Sequence, residues 1–218
     1  MLFRSPQSND TLIDALAADL RPVRPMRFAE GMALVGSAGA ITLLIVALWL
    51  GWRADVLAGD FHALWLLANG LFLMLGLAAV STAVTMASPQ VGPDHHGWKW
   101  AVAMAALLPA TALVLLAARS IPFPAEWISP TDRHCLTMGL GLGLLTAVAL
   151  TWWLRRGAPA SPQRAGLLVG IASGSVGILA FAFNCPSDDL YHVGIWHSAP
   201  VLIGALLGRL VVPPLVRW

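Results

Sequence analysis

The chemically versatile side chains of this chain are concentrated between residues 184 and 197, in a sequence that is otherwise mostly aliphatic. This segment contains the thiol of Cys185, the carboxyl groups of Asp188 and Asp189, and the imidazoles of His192 and His197. Thiolate and imidazole are ligands of soft and borderline metal ions, and a thiol is also the group that an oxidant attacks. The segment therefore predicts a metal site or a redox-active thiol.

The chain has one other cysteine, Cys135, which lies beside His134 and close to Asp132. Two cysteines without a CxxC motif are too few for a zinc ribbon or an iron–sulfur cluster. They allow one disulfide, one shared metal site or two unused thiols. Whether Cys135 and Cys185 meet in the fold is therefore the central question.

The two histidines of the segment are five residues apart, which puts them about 140° apart around a regular α-helix. We therefore expect that they do not share a face, with one imidazole reaching Cys185 and the other pointing into the protein. The alternative for each is a side chain bonded to a backbone carbonyl at the membrane interface. The candidate ligands of a transition-metal ion, such as copper, zinc or cadmium, are Cys135, Cys185, His134, His192, His197, Asp188 and Asp189.

The composition indicates a membrane protein, because 58% of the residues are apolar, 11% are charged and the mean hydropathy is +0.74. Six apolar runs are each near the roughly 20 residues that a helix needs to cross the hydrocarbon core. They lie at about 32–52, 61–87, 98–118, 135–154, 165–183 and 193–212. The sequence therefore predicts an all-α, polytopic membrane protein, a six-transmembrane-helix bundle. Its net charge of +2, without a basic run, gives no indication of nucleic-acid binding.

The distribution of basic residues between the loops predicts the orientation of the bundle. Six spans place both termini on one side, which receives Arg4, Arg21, Arg24, Arg27, Lys99, Arg155, Arg156, Arg164, Arg209 and Arg217. The other side receives only Arg53, Arg119 and Arg133. By the positive-inside rule both termini are cytoplasmic, so Cys135 and Cys185 both lie on the outer side.

The spans on either side of the cytoplasmic 155–164 loop carry the two cysteines at their outer ends. Helices joined by a short loop are usually antiparallel neighbours, so the two thiols are expected within reach of each other. We favour a metal- or redox-responsive pair over a structural disulfide, because a six-helix bundle in lipid hardly needs a staple. Small residues at four-residue spacing, as in Gly139 to Gly143 and Gly166 to Gly170, predict close helix packing within the bundle.

A short amphipathic helix is predicted before the first span. Leu12, Ile13, Leu16, Ala17 and Leu20 form one stripe. Thr11 and Asp14 have the spacing of a helix start, and Pro22 ends the helix. At about eleven residues it is too short to be stable alone in water, so it needs a surface to lie on. A partner's groove and the lipid headgroups remain alternatives.

Motifs for catalysis and active transport are missing from the sequence. It contains no H-E-x-x-H motif or phosphate-binding loop, and no acid or lysine deep within a span, which argues against an ion-coupled transporter. We therefore expect a protein that is not an enzyme. The main alternative is a membrane thiol- or metal-dependent oxidoreductase or metal-handling protein. A third interpretation is a structural membrane subunit with an inert disulfide.

The segment from Asp10 to Pro25, DTLIDALAADLRPVRP, followed by six spans and two outer cysteines, resembles the negative regulator of sigma F (NrsF) family of bacterial inner-membrane anti-sigma factors. The resemblance implies a cytoplasmic sigma-binding segment at 1–30 and a transmembrane sensor domain at 31–218. The implied partner is an extracytoplasmic-function sigma factor, besides membrane lipid. It would be bound by Leu12, Ile13, Leu16 and Leu20, with Arg21 and Arg24 of the following linker. Cys135 and Cys185 would release it under metal or oxidant stress.

Overall fold

The fold is entirely helical in the part of the chain that the computed structural model describes, residues 7–18, 25–88, 97–118 and 129–216. The helices are α1 (Gln7–Ala18), α2 (Phe28–Ile45), α3 (Ala54–Ala58), α4 (Ala63–Met86), α5 (Gly97–Ala118), α6 (Pro130–Arg156), α7 (Pro162–Phe181) and α8 (Ala199–Val216). Two π-helical turns, Val46–Leu50 and His192–Trp196, follow α2 and precede α8. The predicted all-α class is confirmed.

Within the described ranges, six helical stretches are long and apolar enough to span a membrane, as the sequence predicted. They are Phe28–Leu50, Ala63–Met86, Gly97–Val114, Pro130–Arg156, Pro162–Phe181 and His192–Val216. The fourth begins at Pro130, before the predicted start at residue 135, because Ser129 and Asp132 form a capping box that starts the helix earlier. Six helices of this length and composition indicate a membrane protein.

Helix α7 is the centre of the bundle, since 78% of its most apolar 18 residues are buried, and α4, α6 and α8 pack around it. Missing side chains allow this close packing. A Cβ added to Gly170 would overlap the backbone of Gly204 on α8, and one added to Gly143 would overlap the carbonyl of Ser173. These small residues therefore serve contacts within one chain, as their spacing predicted.

Helix α1 presents an apolar stripe that nothing in the described part of the chain covers. Leu12, Ile13 and Leu16 are 58%, 59% and 62% exposed. The helix begins at Gln7, earlier than the start predicted at Thr11, because residues 7–10 contain no proline or glycine to stop it. The predicted partner-binding residues Leu20, Arg21 and Arg24 lie outside the described residues.

Candidate metal and thiol site

The two cysteines lie in contact at one end of the bundle. The Sγ atoms of Cys135 and Cys185 are 3.4 Å apart, and both residues are almost fully buried. Both are free thiols, since a disulfide would bring the sulfurs to about 2.05 Å. The antiparallel packing of α6 on α7 causes this meeting, because Cys135 lies in the second turn of α6 and Cys185 follows the end of α7.

The imidazole of His192 lies against both sulfurs. Its Nε2 is 3.2 Å from Sγ of Cys135 and 3.4 Å from Sγ of Cys185. His197 completes the group, with its ring centroid 5.1 Å from that of His192. One ligand atom from each of the two cysteines and two histidines lies within 4.8 Å of all the others, and all four residues are buried.

The expectation that His192 and His197 point in different directions is wrong. The chain between them forms a π-helical turn, in which the backbone N–H of His197 donates to the carbonyl of His192 at 3.3 Å. A π-helical turn bonds residue i to residue i+5, so residues five apart lie nearly above each other. Both imidazoles therefore face the cysteines.

Asp132 holds the His192 ring in place. Its Oδ1 accepts a hydrogen bond from Nδ1 of His192 at 2.7 Å, while its Oδ2 accepts one from the backbone N–H of Ser129 at 2.8 Å. Because a carboxylate only accepts, the Nδ1 atom of His192 carries the proton and Nε2 is directed at the sulfurs. Asp132 was not among the ligands predicted from the sequence. The sequence pattern that could have identified Asp132 is the Ser129-x-x-Asp132 helix cap, with Cys135 one turn further along the helix.

Three other predicted ligands lie outside this group. His134 is exposed, with its ring 5.4 Å from that of Phe181. Asp188 forms an ion pair with Arg53, in which Nη1 donates to Oδ1 at 2.8 Å and Nη2 donates to Oδ2 at 2.7 Å. Asp189 accepts hydrogen bonds from the backbone N–H groups of Tyr191 and His192, so it caps the π-helical turn.

Arg53 joins the loop that carries Cys185 to the end of α2. Its guanidinium binds Asp55 and Asp188, and Nη1 also donates to the Cys185 carbonyl at 2.8 Å. The hydrogen bonds to Asp188 and Asp55 raise the pKa of Arg53. This role of Arg53 was not predicted from the sequence, in which Arg53 indicates only the orientation of the bundle.

Asn184 makes a second connection between the same two segments. Its Nδ2 donates to the carbonyls of Leu50 and Gly51 at 2.9 Å and 3.0 Å. Gly51 has a φ of +77°, which side-chain-bearing residues rarely adopt, so glycine is needed where the chain leaves the π-helical turn. The Cys185 loop is thus fixed to the end of α2 at several points.

The electrostatic environment makes Cys185 the more acidic thiol of the pair. Its pKa is lowered chiefly by the hydrogen bond from Cys135 and also by His192 and His197, while burial opposes the shift. Thiolate is the form that binds metal ions and reacts with oxidants. The lowered pKa therefore favours the thiolate form at Cys185.

The donor set fits a four-coordinate soft or borderline metal ion. Two sulfurs and two imidazole nitrogens are the ligands of many tetrahedral zinc sites. Metal–sulfur bonds of about 2.3 Å in that geometry would separate the sulfurs by about 3.8 Å, so the thiols at 3.4 Å would need to move apart only slightly. Nε2 of His197 is buried and has no hydrogen-bond partner among the described residues, which leaves that atom available to a ligand.

Together the fold and the site define a six-span helical membrane protein with a buried Cys/His group at one end. The sequence profile of the family described as negative regulator of sigma F, NrsF, matches residues 16–218. The chain is also similar to the anti-sigma-F factor NrsF of Caulobacter vibrioides (strain NA1000 / CB15N), with 31% identity over 223 residues, covering 96% of this chain and 99% of that protein. No solved structure matches the chain.

The chain therefore belongs to the NrsF family of negative regulators of sigma F. This confirms the family resemblance inferred from the N-terminal segment, the six spans and the two cysteines. Membership implies a regulatory protein that acts on a sigma factor.

Proposed function

We propose that the chain is an inner-membrane anti-sigma factor that releases an extracytoplasmic-function sigma factor when the pair Cys135 and Cys185 binds a metal ion or is oxidised. The observation that carries this proposal is the buried group of two thiols and two imidazoles within 4.8 Å, in a family of sigma regulators. Both termini are proposed to be cytoplasmic, because ten of the thirteen basic residues fall on their side.

The proposed sigma-binding segment is 1–30, with the transmembrane sensor domain at 31–218. Helix α1 supports this because it is only 12 residues long, and three large apolar side chains on it are more than half exposed. Such a helix gains stability by placing its apolar face in a partner's groove. Leu20, Arg21 and Arg24 would extend the contact beyond α1.

The sensing step has two forms in this proposal. In the first, copper, zinc or cadmium binds Cys135, Cys185, His192 and His197, and displaces the thiol protons. In the second, an oxidant removes two electrons and the two thiol protons, which leaves a disulfide between Cys135 and Cys185. Closing that bond would shorten the sulfur separation from 3.4 Å to about 2.05 Å. Either reaction shifts the beginning of α6 relative to the Cys185 loop.

The contacts of Arg53 and Asn184 would transmit this shift to the sigma-binding segment. They fix the Cys185 loop to the end of α2, and the first residues of α2, from Phe28, belong to segment 1–30. A packed helix moves as a rigid element, so displacement at one end reaches the other. A loss of ~1.4 kcal/mol in sigma binding would lower the affinity tenfold.

A reporter assay tests the proposal in cells. The sigma factor is expressed with this protein and a promoter that depends on that sigma factor, and copper, cadmium or chromate is added. The variant Cys135→Ser/Cys185→Ser should lose the response, whereas His134→Ala should keep it, because His134 is exposed and outside the site. An unchanged response in the double variant would show that the cysteines are not the sensor.

A membrane thiol oxidoreductase is the second candidate, and the contact of Asp132 with His192 favours it. A carboxylate that orients an imidazole next to a thiol is an arrangement that activates a nucleophile. The thiols are 0% and 1% exposed, however, which leaves an organic substrate no approach. Turnover of a quinone or a dithiol by the purified protein, abolished in the double serine variant, would support this function instead.

A further inference from the structure

An apolar groove runs along the outside of the bundle between α6 and α8, with α7 as its floor. Its volume is about 530 Å³. The floor consists of Val169, Gly170 and Ser173 of α7. On either side of it, Leu144 and Val148 of α6 face Leu207 and Val211 of α8. The groove exists because α6 and α8 both pack closely on α7 through residues that lack bulky side chains.

One end of the groove is basic. Arg155, in the last turn of α6, lines it together with the half-exposed Trp152. Arg155 has no ion pair with any residue that the structure describes. The neighbouring Arg156 stacks on Trp152, with 4.9 Å between the guanidinium carbon and the ring centroid. A tryptophan and an arginine at the end of a span are typical of the level of the lipid headgroups.

We propose that this groove binds one anionic phospholipid, with an acyl chain between α6 and α8 and the phosphate on Arg155. The length of the groove matches one acyl chain. The groove follows α8 from Gly204 to Leu215, which is about 16 Å at 1.5 Å per residue, close to the roughly 15 Å of hydrocarbon in one leaflet. The charge of the groove matches an anionic lipid as well, since Arg155 is the one charged side chain among the described residues that line the groove, and it lies at its end.

A second copy of the chain fits the groove less well. A helix docked there would place Arg155 against another span, and among the described residues the spans contain only two acids. Asp132 is buried against His192, so of these two acids a docked copy could offer Arg155 only Glu30, in the first turn of α2. A lipid phosphate provides a negative charge at Arg155 without requiring that one helix to dock. This inference is independent of the sigma factor and of the cysteine site.

Native mass spectrometry of the full-length protein in detergent tests the proposal. The protein is mixed with phosphatidylglycerol and phosphatidylcholine that carry the same acyl chains. We expect one retained phosphatidylglycerol per chain, preferred about fivefold, which is the contribution expected of one basic side chain at the membrane surface. Arg155→Gln should remove the preference, while Arg156→Gln, which does not line the groove, should keep it.

Val148→Trp provides a second test, because this exposed side chain forms one wall and a larger one would fill the groove. It should reduce the retention of both lipids while the protein stays monodisperse. Equal retention of the two lipids by the unaltered chain would overturn the proposal, as would undiminished phosphatidylglycerol binding by Arg155→Gln or Val148→Trp. A lipid-free dimer that Val148→Trp dissociates would assign the groove to a second copy instead.

Discussion

At the scale of single residues, the site depends on how one imidazole is oriented. His192 contacts both sulfurs through Nε2 because Asp132 holds its Nδ1, and the Ser129 cap in turn holds Asp132. Outer carboxylates of this kind fix the tautomer and the orientation of a ligating histidine. Asp132 is therefore expected to set metal affinity without touching the metal.

Replacing Asp132 by asparagine tests this role. The amide keeps the size of the side chain and an acceptor for the Ser129 N–H, but it removes the charge that fixes the His192 proton. We expect cadmium or zinc affinity to fall by about 10- to 100-fold, as measured by competition with a chelator. His134→Ala is the matched control, and an affinity of Asp132→Asn equal to that of the control would contradict the assigned role.

The sequence predicted the meeting of the cysteines but could not show how the surrounding side chains are arranged. Topology alone placed Cys135 and Cys185 at neighbouring helix ends. Asp188 pairs with the distant Arg53, and Asp189 caps a local turn. Neither contact can be derived from the composition of the segment. Of the candidate imidazoles, the fold brought together His192 and His197, and left His134 on the surface.

At the scale of the elements, the two π-helical turns place side chains where a regular α-helix would not place them. The turn His192–Trp196 brings two histidines to one side, and the sequence H-V-G-I-W gives no sign of it, because it is equally compatible with an α-helix. The turn Val46–Leu50 ends α2 where Arg53 and Asn184 connect it to the Cys185 loop. The six spans, by contrast, followed directly from hydropathy and length.

Arg53→Gln tests whether this connection carries the signal. Arg53 binds Asp188 and the Cys185 carbonyl but is not one of the four potential ligands, so metal affinity should change little. The effect of metal on sigma affinity should disappear, because the contacts of Arg53 are the proposed connection between the two sites. Coupling free energies between two binding sites are usually about 1–3 kcal/mol. Chelator competition and sigma-binding titrations measure the two quantities separately. A metal response that survives in Arg53→Gln would place the coupling elsewhere.

Leu16→Asp tests α1 as the recognition element. Leu16 is 62% exposed, so the substitution removes no core contact, yet it places a charge in the proposed apolar interface. Sigma affinity should fall at least about tenfold, which corresponds to ~1.4 kcal/mol. Asp14→Asn, also exposed and outside the apolar stripe, is the control. If Leu16→Asp binds the sigma factor like Asp14→Asn, then α1 is not the binding surface.

At the scale of the whole molecule, one span connects the buried Cys/His group to the segment that contains the exposed helix α1. Phe28–Leu50 contains 23 residues, which is about 34 Å of helix. Its far end contacts the Cys185 loop, and its near end follows the segment that contains α1. In the proposed orientation, this arrangement would let a reaction at the two cysteines change the binding of the sigma factor on the opposite side of the membrane. It needs only a small difference in free energy between two states of the bundle.

The most direct test is the dissociation constant of the sigma factor from the full-length protein in lipid nanodiscs, with and without cadmium. We predict that cadmium raises this constant at least about tenfold for the unaltered chain. It should have no effect on Cys135→Ser/Cys185→Ser. A constant that cadmium leaves unchanged, while the metal is shown to bind at the two cysteines, would contradict the proposed release mechanism.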